Sequence, residues 1–88
     1  MLAATLVFTT GAEAACYATY KAKRDDPLRL HYGVAEVTSP DCTPEAASVE
    51  LAPRLALDGW ILLAIVEMID ADKLGEVRKS AGDYFLRY

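Results

Sequence analysis

The chain has 88 residues, 53% of them apolar, with two cysteines and a formal charge of −4. That length holds one small domain. The apolar share is too high for a disordered chain, and the acidic balance argues against nucleic acid, whose phosphates need a basic surface. No apolar run reaches the ~18–20 residues of a membrane-spanning helix, and no repeat or sustained heptad points to a solenoid or coiled coil.

The first fifteen residues, MLAATLVFTTGAEAA, hold a short apolar stretch over Leu2–Phe8, broken by Thr9, Thr10 and Gly11. Ala12-Glu13-Ala14 puts small residues where a signal peptidase reads them. Residues 1–15 are therefore expected to be a secretory signal peptide, cleaved after Ala14 or Ala15. No Lys or Arg precedes Lys21, so the charged start of such a peptide would lie upstream of Met1. The competing reading is a buried first strand over Thr5–Thr9. Glu13-Ala14-Ala15 before Cys16 lacks the Leu of a lipobox. Export predicts a periplasmic or secreted protein with no membrane span in the mature chain. In that oxidising setting, Cys16 and Cys42 are most simply one disulfide. Closing about 27 residues contributes roughly 3–4 kcal/mol, a large share of the stability of so small a domain.

Residues 16–88 then form a single α+β domain. Cys16–Lys23 alternates, with Cys16, Ala18, Tyr20 and Ala22 opposite Tyr17, Thr19, Lys21 and Lys23. Arg24-Asp25-Asp26-Pro27 is a turn signal. Leu28–Val37 alternates again, with Leu28, Leu30, Tyr32 and Val34 on one face. The pair reads as a β-hairpin, although Ala and Lys would also tolerate a helix over Ala15–Arg24. Thr43 is an expected N-cap, with Pro44 at the first helical position and Glu45 in the first turn. Ala47, Leu51 and Leu55 make an apolar stripe that runs to Asp58, with Gly59 just past the end. Pro53 is expected to kink or divide this helix.

Trp60–Ile69 is the most apolar segment. Alternation, interrupted only by Glu67, sets Trp60, Leu62, Ala64, Val66 and Met68 against Ile61, Leu63, Ile65 and Ile69, which predicts a central strand covered on both faces. The helix is expected to cover one face. The other is covered by a second copy against Ile61, Leu63 and Ile65, or by the segment around Leu74–Val77 folded over as a lid that keeps the protein monomeric. Asp70–Ser80 is polar, with a short helical turn around Leu74–Lys79. Gly82–Tyr88 alternates Tyr84, Leu86 and Tyr88 with Phe85 and Arg87 and reads as a terminal strand. The expected fold is a small antiparallel sheet in chain order β-β-α-β-β, with one main helix packed on one face.

Cys16–Lys23, Pro27–Gly33, Gly59-Trp60 and the closing Gly82–Tyr88 resemble a set of small exported alphaproteobacterial proteins of unknown function. In these a Cys-Tyr/Phe-Ala-x-Tyr-Lys-Ala-Lys start, a Pro-Leu-Arg-Leu-His-Tyr-Gly strand and a Gly-Trp pair recur. The corner at Leu55–Leu63 with the final strand is similar to a broader bacterial family, also of unknown function. That family has a helix, Gly-Trp-Glu-Leu-Val and an ending Tyr-Leu-x-Arg. Ile61 stands here where that family has Glu. Both resemblances imply a small α/β sandwich and bacterial export, and neither implies an activity.

The residues that could carry chemistry are few. His31, the only histidine, is a candidate ligand residue. Alternation with Leu30 and Tyr32 turns it away from the main apolar side as a partly exposed strand residue. No C-x-x-C, short-spaced ligand pair or nucleophile–base set is present, so no cofactor, metal or catalytic residue is expected. Glu67, Asp70 and Asp72 read as a solvated turn that lacks the further oxygens of a calcium loop. Lys21, Lys23, Arg24 and Arg29 form a basic patch at the hairpin tip, offset by Asp25 and Asp26. Trp60 is expected to anchor the core. Five tyrosines on strands resemble an interaction surface if they share a face. The sequence therefore predicts a non-enzymatic protein–protein interaction module or envelope accessory, whose partner is an unidentified envelope protein or a second copy in a homodimer. Ile61, Leu63, Ile65, Tyr84 and Tyr88 are its candidate interface. The alternative is a small-ligand or metal-binding domain built on His31.

Overall fold

Strand β1 spans Cys16–Arg24, β2 spans Arg29–Val37, helix α1 spans Pro44–Ala56, β3 spans Ile61–Asp70 and helix α2 spans Leu74–Ala81. These come from a computed structural model that describes residues 16–88, and the expected signal peptide over residues 1–15 lies outside the described residues. The sheet has three strands in the order β2-β1-β3, with β1 antiparallel to both neighbours. The hairpin register runs from Cys16 opposite Val37 to Arg24 opposite Arg29, as the two alternating runs predict. Thr43 caps α1 by accepting from the Ala46 N–H, Pro44 opens it, and Gly59 turns the chain with φ of 80°. Pro53 does not divide the helix. Pro53 and Val49, whose carbonyl loses its donor, both face solvent, where water can satisfy that carbonyl.

The predicted β-β-α-β-β order with one main helix is wrong. The order is β-β-α-β-α, and a second helix, α2, replaces the last strand. Leu74, Val77 and Ala81 recur at helical spacing and pack with Val34, Ile69, Tyr17, Tyr32 and Phe85. After α2 the chain takes a 3-10 turn over Gly82–Tyr84, and Leu86 has φ of 57°, so the alternation of GDYFLRY never extends into a strand. A single parallel bridge, Val34 to Phe85, is all the pairing it makes.

The expected central strand is also displaced. β1 lies in the centre and β3 at the edge, because the β2–α1–β3 crossover carries the chain over β1. Two register shifts against β1 break the period of two along β3. Leu62, Ile65 and Met68 face α1, opposite Ala22, Tyr20 and Ala18, while Ile61, Ala64 and Glu67 face the other way, opposite Lys23, Lys21 and Thr19. Leu63 and Val66 are the extra residues at the two irregularities, as expected of β-bulges.

The main core lies between α1 and the sheet. Ala18, Tyr20, Ala22, Leu51 and Leu55 are fully buried there, with Trp60 at 3% exposure. A smaller core lies under α2. Cys16 and Cys42 form a disulfide, with Cα atoms 6.0 Å apart, tying the start of β1 to the loop before α1. The bond is consistent with an oxidising, exported location. No helix among the described residues is long and apolar enough to cross a membrane.

Candidate functional site

His31 is buried, at 8% exposure, and not the partly exposed residue that alternation predicts. It lies opposite Ala22 on the α1 side, within a group of aromatic rings. Its ring stacks on Tyr84 at 3.7 Å and 10°, and meets Trp60 edge-on at 4.3 Å. Nε2 shares a 2.9 Å hydrogen bond with the Tyr20 hydroxyl, and Nδ1 has no partner among the described residues. Gly33 makes room for the arrangement, because a Cβ there would sit 2.5 Å from the Tyr20 ring. Burial, and the positive charges of Arg24 and Arg87, lower the His31 pKa to about 4. The ring is therefore neutral at ordinary pH. Burial also pushes the Tyr20 hydroxyl up, assisted by Tyr88 and Tyr84. Arg24 lies 4.2 Å over the Trp60 ring, Arg87 lies 5.6 Å from Tyr84, and the Arg24 guanidinium donates to the Asp58 carbonyl.

This cluster holds the C-terminal segment in place. The Tyr88 hydroxyl donates to Asp58 at 2.7 Å, and Arg54 donates to the Tyr88 carbonyl at 2.8 Å. The segment then lies along the outer edge of β2. The Leu86 N–H donates to the Val34 carbonyl at 2.7 Å, and Arg54 donates to the Glu36 carbonyl at 2.8 Å. Glu50 accepts from the Thr38 and Ser39 N–H groups at the end of β2. Burial works against its charge, but the bonds from Thr38 and Ser39, together with Arg54, hold its carboxyl below the usual range.

The outer edge of β3 has no such cover among the described residues. Ile61 and Leu63 are each 50% exposed and Val66 48%. Beside them, between α1 and β3, runs an open groove of about 420 Å³, with Ser48, Ala52 and Ala56 on its helical side. An unpaired edge with exposed apolar side chains is a template for another chain. The bulges twist it, so side-chain packing in the groove is a larger part of what it offers than a long regular ladder.

Of the predicted interface residues, Ile61 and Leu63 stay outside. Ile65, Tyr84 and Tyr88 pack into the α1 core. The five tyrosines do not share a face, since Tyr20, Tyr84 and Tyr88 gather at His31 while Tyr17 and Tyr32 lie under α2. Glu67 and Asp70 pair with Thr19 and Cys16 at the far end of β3 from the hairpin tip. The described residues bring no three His, Cys, Asp or Glu side chains together. Alternation missed Val66 and the groove, because neither bulges nor helix placement appear in a period-two pattern. Comparisons of the chain with known protein families, curated proteins and solved structures found no match. The functional reading therefore rests on the geometry of the chain itself.

Proposed function

We propose that this protein is an exported, non-enzymatic interaction module whose binding element is the open edge of β3 with the adjoining groove. The observation that carries the reading is the asymmetry of the sheet. The β2 edge accepts bonds from Leu86 and Arg54, while β3 leaves Ile61, Leu63 and Val66 in water. Lone apolar side chains on a surface are ordinary, but three along one unpaired strand, with Ile61 and Leu63 lining an apolar groove, are the kind of feature that marks an interaction surface. Export is supported by the Ala12-Glu13-Ala14 pattern and by the disulfide. The buried, neutral His31 does structural work in this reading and needs no ligand.

The test is site-specific photocrosslinking in the producing cell. A photoreactive residue at Leu63 is expected to capture a defined adduct, and one at Val49, on the solvent side of α1, is not. Absence of an adduct from positions 61, 63 and 66 alike would sink the reading.

A further inference from the structure

We propose that the occupant of this edge is a second copy of the chain, laid antiparallel along β3 about a two-fold axis near Ala64. The inference rests on the binding element argued above and names its partner. Two features of the edge complement themselves. The first is shape. Leu63 is half exposed at the rim of the groove lined by Ser48, Ala52 and Ala56, and Val66 is half exposed further along the strand, so a two-fold axis lets each copy place these side chains against the other's groove. A closed, self-complementary contact of this kind is the commonest form of homo-oligomer.

The second feature is charge. Lys23 lies opposite Ile61 and Lys21 opposite Ala64, with Arg24 over Trp60, so the start of β3 is basic. Its far end carries Glu67, Asp70 and, in the following turn, Asp72. Among the described residues the ion pairs are Lys23 with Asp25 at 3.4 Å and Glu50 with Arg54, and neither engages Lys21, Glu67 or Asp70. A parallel neighbour would set basic end against basic end. An antiparallel copy centred near Ala64 sets the acidic end of each β3 against the basic end of the other: Glu67 comes opposite Ile61, on the same face as Lys23 and one strand away from it, with Asp25 as the present partner of Lys23. Complementary charge in an interface fixes register and suppresses wrong partners.

The test is sedimentation of the purified, oxidised protein over a range of concentrations. A monomer–dimer equilibrium is expected. Leu63→Lys, which charges the protruding side chain, and Ala52→Gln, which fills the groove, should each raise Kd by about tenfold or more, as truncation of a central interface residue does. Lys23→Glu and Glu67→Lys should each weaken the dimer, and the two changes together should restore it. An unchanged near-ultraviolet signal from Trp60 shows that each variant is folded. A monomer at the highest concentration, or a dimer indifferent to Leu63→Lys and Ala52→Gln, would overturn the proposal. Failure of the double charge swap to restore affinity would overturn the antiparallel arrangement. A photocrosslink from Leu63 to a different protein, with none between copies, would reject the second copy yet leave the interaction module standing.

Discussion

The two outer strands of this sheet have opposite fates. Both β2 and β3 pair with β1 on one side only. The free side of β2 is bonded by the C-terminal segment and by Arg54 from α1. That segment is held in turn by Tyr84 stacked on His31 and by Tyr88 bonded to Asp58. The free side of β3 has no such cover among the described residues, and what blunts it is its two bulges and the charge of Glu67. Proteins manage edges because an unpaired row of N–H and C=O groups invites pairing. Under the proposed function, the covered edge of β2 and the open edge of β3 put the binding surface on one side of the described sheet. The aromatic cluster therefore contributes to the surface as well as to the core, since it fastens the cap that makes the two edges unequal.

The largest expected effect comes from the residue on which both edges depend. Trp60 begins the run into β3 and touches both His31 and Tyr84. Trp60→Ala should cost about 3–5 kcal/mol, read as a lower denaturant midpoint. A loss below about 1 kcal/mol would mean that the cap and β3 are held independently. Next, replacing both Cys16 and Cys42 by Ala should cost about 2–4 kcal/mol. Because the bond lies at the end of the sheet shared by all three strands, hydrogen exchange should accelerate on β2 and β3 alike. Acceleration confined to one strand would contradict this.

Tyr84→Ala separates the two edges. It removes the ring stacked on His31 and should cost about 1–3 kcal/mol, the range for a partly buried aromatic truncated to Ala. The Leu86 amide should lose its exchange protection while the β1–β3 amides keep theirs. Equal loss on both sides would show that the cap is not a separate device.

A separate effect is that of pH on the same cluster. Burial, with Arg24 and Arg87, holds His31 near 4 in the fold, against 6.5 for a free imidazole. The unfolded chain therefore takes up its proton first. Stability from the neutral ring is fully present above about pH 6.5 and is lost as pH falls toward 4. An NMR titration of His31 should give a midpoint near 4, and a midpoint near 6.5 would place the ring in water.

Much of the fold is legible in local chemistry. The hairpin follows from two alternating runs around Asp25-Asp26-Pro27, and α1 follows from Thr43, Pro44 and the Ala47–Leu51–Leu55 stripe, because turn and cap preferences act over a few residues. The disulfide was also readable, since an even pair of cysteines in a chain expected to be exported has one simple use. The site was legible only in part. Ile61 and Leu63 stood out as apolar residues in need of cover. Their position on an edge, the protruding Val66 and the groove against α1 did not.

What the sequence by itself determined, then, is the set of local pieces: two strands and their turn, one capped helix, an apolar third strand, and the Trp60 anchor. The tertiary structure decided how those pieces share a sheet. It placed β1 in the centre, because the crossover from β2 to β3 passes over it, and it shifted the register of β3 twice. It also turned GDYFLRY from an expected strand into a cap whose aromatic rings enclose His31. Alternation records which side chains differ along a strand but carries no information about the neighbour on either side. The inward turn of His31 was hidden for the same reason. A lone imidazole looks polar in sequence, and it becomes a core residue only where Tyr20 shares a hydrogen bond with it and Trp60 and Tyr84 pack against its ring.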